Sequence, residues 1–366
     1  MIERLYVHNF LCLENFTLNL TGRSSVLIIG RNGAGKSTIV RCLRLFQSIC
    51  RGSDRVRNLI SAGDFTQHRT NAPMRFEVEA RITDRRFKYE LSFEWPGAFR
   101  EARILEESVT VDGTSIFTRH HSQIQLSGGT TFGLDWHTVA LPVIIERPGE
   151  RAIQDLKSFF ANMVLIAPVP SKMTGFSEDS SMELESDAGN FAACLRALLA
   201  QKPAAYAEFA AHLKSIVPDF SSIENVERGE SGSQLIVKFE QGDPPRSLAV
   251  EFNALSDGEK CFFLSAYIIA RNRMGPPVFC MWDEPDNHLS ISEVGQFIVG
   301  LRKIANRGGQ FIATTHHPEI VRKFSDETTF VITRRSHLDP ALIRPLAEFT
   351  YTGDLINALI RDEIIG

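Results

Sequence analysis

No apolar run in the 366 residues approaches the roughly 18 to 20 that a membrane-spanning helix requires. The opening stretch, residues 1–16, mixes charges with its apolar residues, so it lacks the uninterrupted core of a secretory leader. Cysteine is sparse: Cys12, Cys42, Cys50, Cys194, Cys261 and Cys280 form no CxxC pair. That excludes the usual zinc spacings and leaves reduced thiols of a cytoplasmic protein as the expectation, with Cys280 a small core filler in an apolar run. Strong charge of one sign is also missing. The net charge of -4 argues against a whole-protein polyanion binder, although a local basic patch stays open. There is no internal repeat and no sustained heptad, which excludes solenoids and long coiled-coil arms.

What is present fits an ordinary globular chain, 43% hydrophobic and 23% charged. Its length suits one large α/β domain with an insert. Residues 1–20 alternate loosely as two short strands, and residues 26–29 form a buried apolar strand ending at Gly30. Helical spacing follows over 38–49, with Ile39, Leu43 and Phe46 on one side. From 74 to about 141 the pattern is that of an antiparallel meander, with Asp112-Gly113 as a hairpin turn. A loop near 168–181 leads to two helices within 187–217, broken at Pro203. Two strands follow around residues 242–245. Then comes helix 257–273, strand 278–282, helix 291–305, strand 310–315, helix 318–324 and strand 328–333, an alternation that predicts a parallel sheet flanked by helices.

Residues 30–38, Gly30-Arg31-Asn32-Gly33-Ala34-Gly35-Lys36-Ser37-Thr38, fit G-x-x-x-x-G-K-[ST] between a strand and a helix, the context that this phosphate-binding motif demands. Its glycines let backbone amides turn inward around phosphates, and the helix start adds further donors. Lys36 is expected on the β- and γ-phosphates of ATP and Ser37 on Mg²⁺. The apolar strand 278–282 runs into Asp283-Glu284-Pro285. A buried strand delivers its first polar side chains at the carboxyl edge of the sheet, where ligands bind. Asp283 is expected to hold Mg²⁺ and Glu284 to activate water.

Three further segments carry a family resemblance. Leu255-Ser256-Asp257-Gly258-Glu259-Lys260 resembles the signature motif of ABC-type ATPases in its SMC/RecF form. Asp286-Asn287-His288-Leu289 resembles their D-loop, and Thr314-Thr315-His316 their switch histidine, with His317 the bland neighbour. The opening hairpin and residues 186–199 look most like the compact, armless OLD-like ATPases of bacterial defence systems. The resemblance implies an N-terminal ATPase lobe over 1–150 and a helical insert with returning strands over 151–250. It further implies a C-terminal lobe over 251–335 and a tail over 336–366. It implies ATP sandwiched in a homodimer: Lys36 of one chain faces Ser256, Asp257, Gly258 and Glu259 of its partner, and His316 senses the γ-phosphate in its own chain. The family also carries a glutamine that ligates Mg²⁺, for which Gln67, Gln123 and Gln125 are all candidates.

Two biological roles stay open. The first is control of a separate effector protein, such as a nuclease or toxin in anti-phage defence, since the roughly 50 residues after His316 are too few for a nuclease domain. The second is a RecF-like ATPase acting on DNA. A transporter subunit fits the signature poorly. The arginines at 41, 44, 51, 55 and 57, and the cluster Arg81, Arg85, Arg86 and Lys88, are either solvated faces or phosphate contacts. An apolar stripe from Leu355 to Ile364 is expected as a capped helix, packed on its own domain or docked to another protein.

Overall fold

The computed structural model describes residues 1–349 except 98, 147, 148, 230 and 317. The stripe at 355–364 and His317 therefore lie outside the described residues. The chain forms two compact units, Met1–Met163 with the segment starting at Asp326, and Val164–Ser325.

In the first unit the opening hairpin and the meander are one sheet. The strand Ile2–His8 pairs antiparallel with both Phe16–Asn19 and Met74–Ile82. Arg85–Glu94, Arg103–Val111, Thr114–His120, Gln123–Leu126 and Thr131–Gly133 continue it to eight strands. Burial alternates along Met74–Ile82 and Arg103–Val111, so one face is covered and one is open. Asp112 and Gly113 both take positive φ, as the expected hairpin turn requires. So do Thr83 and Asp84, which make a second two-residue turn without a glycine.

The strand Ser25–Ile29 has every residue buried and pairs parallel with Thr329–Thr333. Burial on both faces is why residues 26–29 are an unbroken apolar run. Its C-terminal end leads through residues 30–35 into the helix Lys36–Cys50. Ile39, Leu43 and Phe46 on that helix are buried, as their spacing predicts. Phe46 anchors the helix to the sheet, with its ring 5.6 Å from that of Tyr89 and 6.2 Å from that of Phe76.

In the second unit the strands Val164–Ile166, Phe279–Asp283 and Gln310–Thr315 pair parallel in that order. The expected helix pair is Phe191–Gln201 and Ala205–Lys214, with Pro203 in the break. An antiparallel sheet follows, in which Gly232–Gln241 pairs with Phe176–Ser177, Phe220–Arg228 and Arg246–Glu251. The helix Asp257–Met274 is buried at every residue from 260 to 272, so it is a core helix rather than an amphipathic surface one. The helix expected over 318–324 is a single turn, Pro318–Val321. No helix of the described residues is long and apolar enough to cross a membrane.

Candidate functional site

The phosphate loop sits in the first unit. Gly35 precedes the helix with φ +112, a conformation that favours glycine. A Cβ built there would stand 2.9 Å from Cys12 Sγ and 3.4 Å from Ala341 Cβ. At Gly30 a Cβ would land on the Ile332 carbonyl oxygen. Two glycines of the motif therefore meet neighbours that leave no room for a side chain, and at Gly33, with φ +79, nothing stands within 4 Å. The Lys36 ammonium donates to the carbonyls of Gly30 (2.8 Å) and Arg31 (3.3 Å), so its charge sits within the curl of the loop. Arg31, Asn32 and Ser37 are exposed, Thr38 is half-buried and Ala34 is buried. This cradle fits a polyphosphate: backbone turned around a cation, at the start of a fifteen-residue helix.

The acidic pair sits in the second unit, at the end of the strand Phe279–Asp283. Asp283 pairs in register with Thr314 of the neighbouring strand. The Thr314 hydroxyl donates to Asp283 Oδ1 and accepts from the Glu284 amide at 3.1 Å, which fixes its rotor. The Glu284 amide also reaches the Thr314 carbonyl at 3.1 Å. Glu284 has φ +52, which is uncommon for any residue other than glycine and is held by these bonds. Its carboxylate lies between two partners, with His316 Nδ1 3.3 Å from Oε1 and Asn287 Nδ2 donating to Oε2 at 3.0 Å. Asp286 is buried and accepts from the Thr315 hydroxyl at 2.9 Å. A chamber of about 90 Å³ opens beside these groups, lined among others by Cys261, Trp282, Asp283, Glu284 and His288. That is room for a few waters next to a carboxylate.

Ser256 caps the helix Asp257–Met274. Its Oγ accepts from the Glu259 amide at 3.3 Å, and its amide and hydroxyl donate to the Glu259 carboxylate at 2.8 and 2.7 Å. This capping box leaves Ser256 and Asp257 exposed at the positive end of an eighteen-residue helix. Glu259 faces back onto Ser256, so its carboxylate serves the cap. Lys260 is buried and donates to the Pro170 carbonyl at 3.2 Å.

The glutamine candidates separate. Gln67, exposed with φ +51, donates its amide to the Leu338 carbonyl at 2.6 Å. Gln123 and Gln125 are exposed on the seventh strand of the eight-stranded sheet, where they line a groove on its open face. Sequence reasoning missed three things: the contact of Cys12 with Gly35, the left-handed Glu284, and the threonines that hold the acidic pair. The Thr-Thr that precedes His316 was the available signal for the last.

The basic residues are largely compensated locally. Arg81 and Arg86 both grip Glu3, at 2.8 and 2.9 Å. Lys88 holds Glu90 at 2.6 Å, Arg41 holds Asp64 at 2.7 Å and Arg85 lies 3.6 Å from Asp112.

A model of the RecF/RecN/SMC N-terminal domain family matches residues 1–338. The chain belongs to this family. Its fold is that of an SMC-type, ABC-type ATPase head: α/β, with parallel strands flanked by helices, an antiparallel meander and a helical insert. An SMC head bound to the C-winged helix domain of ScpA is 15% identical, with 95% of this chain and 99% of that chain covered and a TM-score of 0.58. An SMC head domain with an extended coiled coil, bound to the C-terminal domain of ScpA from Pyrococcus furiosus, is 14% identical over 100% and 99%, with a TM-score of 0.55. No curated protein matches. Membership of the SMC family goes with ATP binding and an ATP-linked metal ion. The Ser37 hydroxyl in the first unit and the Asp283 carboxylate in the second are each hard oxygens, of the kind Mg²⁺ prefers.

Proposed function

We propose that this chain is an ATP-hydrolysing, ATP-dimerising switch that controls a separate effector protein, such as a nuclease or toxin in anti-phage defence. The observation that carries the hydrolytic part is the Glu284 carboxylate, held from both sides by His316 and Asn287 on a strained backbone. Such a group is oriented before any substrate arrives, which is what a positioned general base requires. In this reading residues 31–38 bind the phosphates and Lys36 neutralises them. Ser37 and Asp283 would each offer an oxygen to Mg²⁺, which would supply charge neutralisation at the phosphates. Glu284 accepts a proton from the attacking water, His316 steadies the γ-phosphate, and Asp286 and Asn287 hold the turn that carries the base. Ser256, Asp257, Gly258 and Glu259 serve the partner's nucleotide.

Two observations support a protein effector over DNA. Three of the arginines that could meet phosphates, Arg41, Arg81 and Arg86, already face carboxylates of their own chain. The SMC head of highest TM-score among the structures above is one solved with a protein domain bound. The metal-ligating glutamine remains a proposal for Gln67, whose side-chain oxygen is the atom a metal would take.

The deciding experiment is ATP binding by calorimetry on wild type and Lys36→Ala. We expect the substitution to remove most affinity while the chain stays folded by circular dichroism. Equal affinities would sink the phosphate-loop assignment. Assaying ATPase with duplex DNA separates the two biological readings, since strong stimulation would favour the RecF-like role.

A further inference from the structure

The small antiparallel sheet of the second unit has two outer strands of unlike character. Phe220–Arg228 is broken by a register shift between Phe220 and Ser222, and its exposed half carries Glu224, Glu227 and Arg228. A bulge and charges are what keep a free edge from recruiting another strand. Arg246–Glu251 has no bulge and bears charge only at its two ends. It pairs with Gly232–Gln241 over its whole length without a shift, and it contains no proline and no lysine. Among the described residues no other strand pairs with it, and no further backbone hydrogen bond reaches it. Every residue in it is exposed except Val250, which is half-buried.

One face of this sheet is apolar and runs off that edge. Phe220 and Ile223 lie opposite Phe239 and Val237, which in turn lie opposite Leu248 and Val250. Directly paired residues point to the same side of a sheet. The inner end of the row is covered, with the Phe220 ring 5.7 Å from that of Phe263 on the helix Asp257–Met274. Its outer end is Leu248, which is 60% exposed. The sheet thus stops at an exposed leucine beside an unclaimed strand edge.

The strand, Arg246-Ser247-Leu248-Ala249-Val250-Glu251, is complementary to itself. Two copies joined edge to edge by a two-fold axis run antiparallel, and the axis stands at right angles to the sheet. Each face then stays on its own side, so residues that meet must be an even number apart. Only registers centred on a residue satisfy this. Centred on Ala249, Leu248 meets the partner's Val250 in both directions, and Ser247 sets a hydroxyl opposite the partner's Glu251. Centred on Leu248, Glu251 would face Pro245, which has no amide to give. Centred on Val250, Leu248 would face Phe252, which is already buried in its own unit. We propose that Arg246–Glu251 pairs with the same strand of a second copy, antiparallel and centred on Ala249, in a contact between chains that needs no nucleotide. The apolar row then crosses the interface, from Val237 and Phe239 of one copy to the same residues of the other. The contact is independent of the ATPase reading.

Two edge strands bury less than the roughly 1,200 Å² of a stable dimer, so association on the order of 10 to 100 μM is expected. The test uses the full chain without nucleotide. Sedimentation equilibrium from about 1 to about 300 μM should show monomer passing to dimer. Leu248→Lys, at an exposed position, should raise the dissociation constant at least about tenfold. Cross-linking with a short bismaleimide reads the register separately. The six native cysteines are buried or half-buried, so an introduced exposed thiol reacts first. Ala249→Cys chains should link to one another. Ser247→Cys and Glu251→Cys should each link poorly alone and well when mixed, because these positions meet across the axis while each lies about 13 Å along the strand from its own copy. Adding Lys36→Ala to Ala249→Cys should leave the link unchanged, which keeps this contact apart from any ATP-linked dimer. A chain that is monomeric throughout, or a dimer indifferent to Leu248→Lys, overturns the proposal. Absence of the Ala249→Cys link also overturns it and leaves the edge to an extended segment of another protein. A link that appears only with ATP assigns the contact to the ATP-linked dimer, which overturns it too. If Leu248→Lys fails to fold, the Ala249→Cys link decides alone.

Discussion

His316 Nδ1 stands 3.3 Å from Glu284 Oε1, joining the ends of two neighbouring parallel strands in one unit. Strand register makes the meeting possible, because Asp283 pairs with Thr314, so Glu284 and His316 follow within two residues of one ladder rung. The pair is thus set by the sheet more than by the loops. We expect Glu284→Gln to bind ATP normally and to hydrolyse it roughly 10² to 10⁴ times more slowly, the usual worth of a positioned base. Because ATP then persists, the variant should accumulate as a nucleotide-bound dimer. Sedimentation velocity with and without ATP checks this, and a variant that stays monomeric while retaining wild-type turnover would refute both halves.

Gly35 lies against Cys12, and two separable effects make it sensitive. An alanine there would adopt φ +112 at a steric cost, and its Cβ would press on Cys12 Sγ at 2.9 Å. We expect Gly35→Ala to weaken ATP binding at least about tenfold and to cost about 1 to 3 kcal/mol of stability. Adding Cys12→Ala should relieve the contact but leave the backbone strain. Partial recovery of the thermal midpoint without full recovery of ATP affinity is the outcome to look for. Complete recovery would show that packing alone was at fault.

His212 is buried in the second unit beside Ser265, with Lys303 and Arg273 nearby, and burial followed by these cations pushes its pKa down to about 4. The unfolded chain titrates near 6.5 at this residue. The native state therefore binds fewer protons than the unfolded state between those values. The stabilising contribution is fully present above pH 6.5 and is lost as pH falls toward 4, by up to about 3 kcal/mol. Denaturant melts followed by hydrogen exchange in this unit, at pH 7.5 and pH 5, measure the slope. His212→Gln should flatten it, and an unchanged slope would remove His212 as the cause.

Most of the strands and helix starts that carry the candidate site were legible, because burial forces local pattern. An apolar run buried on both faces had to end at Gly30 and again at Asp283, and the polar residues that follow each run are the candidate site. The two insert helices announced themselves through Pro203. What stayed hidden depends on contacts between distant segments. Nothing in residues 105–110 distinguishes Glu107 from a solvent-facing strand residue. Yet it is buried, takes the Ala140 and Leu141 amides at 2.7 and 2.9 Å, and faces Arg119 at 3.5 Å. The pairing of the opening hairpin with the meander was equally silent, because alternation predicts a strand and not its neighbour. The same limit applies to the basic clusters, whose carboxylate partners come from up to 83 residues away.

The last prediction concerns sharing of sites between two chains. Ser256 caps its helix and is exposed there, so its substitution has two consequences. Loss of the cap should cost about 1 kcal/mol, which a stable unit tolerates. A bulky cation at the same place should obstruct a partner's nucleotide at the helix N-terminus. Ser256→Arg should therefore bind ATP nearly as wild type does, because its own phosphate loop is intact, and yet hydrolyse little of it. Lys36→Ala should be inactive for the opposite reason. In a mixed dimer, one composite site then carries both lesions and the other carries neither. Mixing the two inactive proteins should restore measurable ATPase, below half of wild type if the two sites fire together. The measurement is phosphate release across a titration of one variant into the other, with a maximum near equal proportions. High activity in Ser256→Arg alone would mean that the signature does not act across the interface. A flat titration with both variants folded, and with mixed dimers seen by sedimentation, would mean that each dimer needs two intact sites before either can turn over.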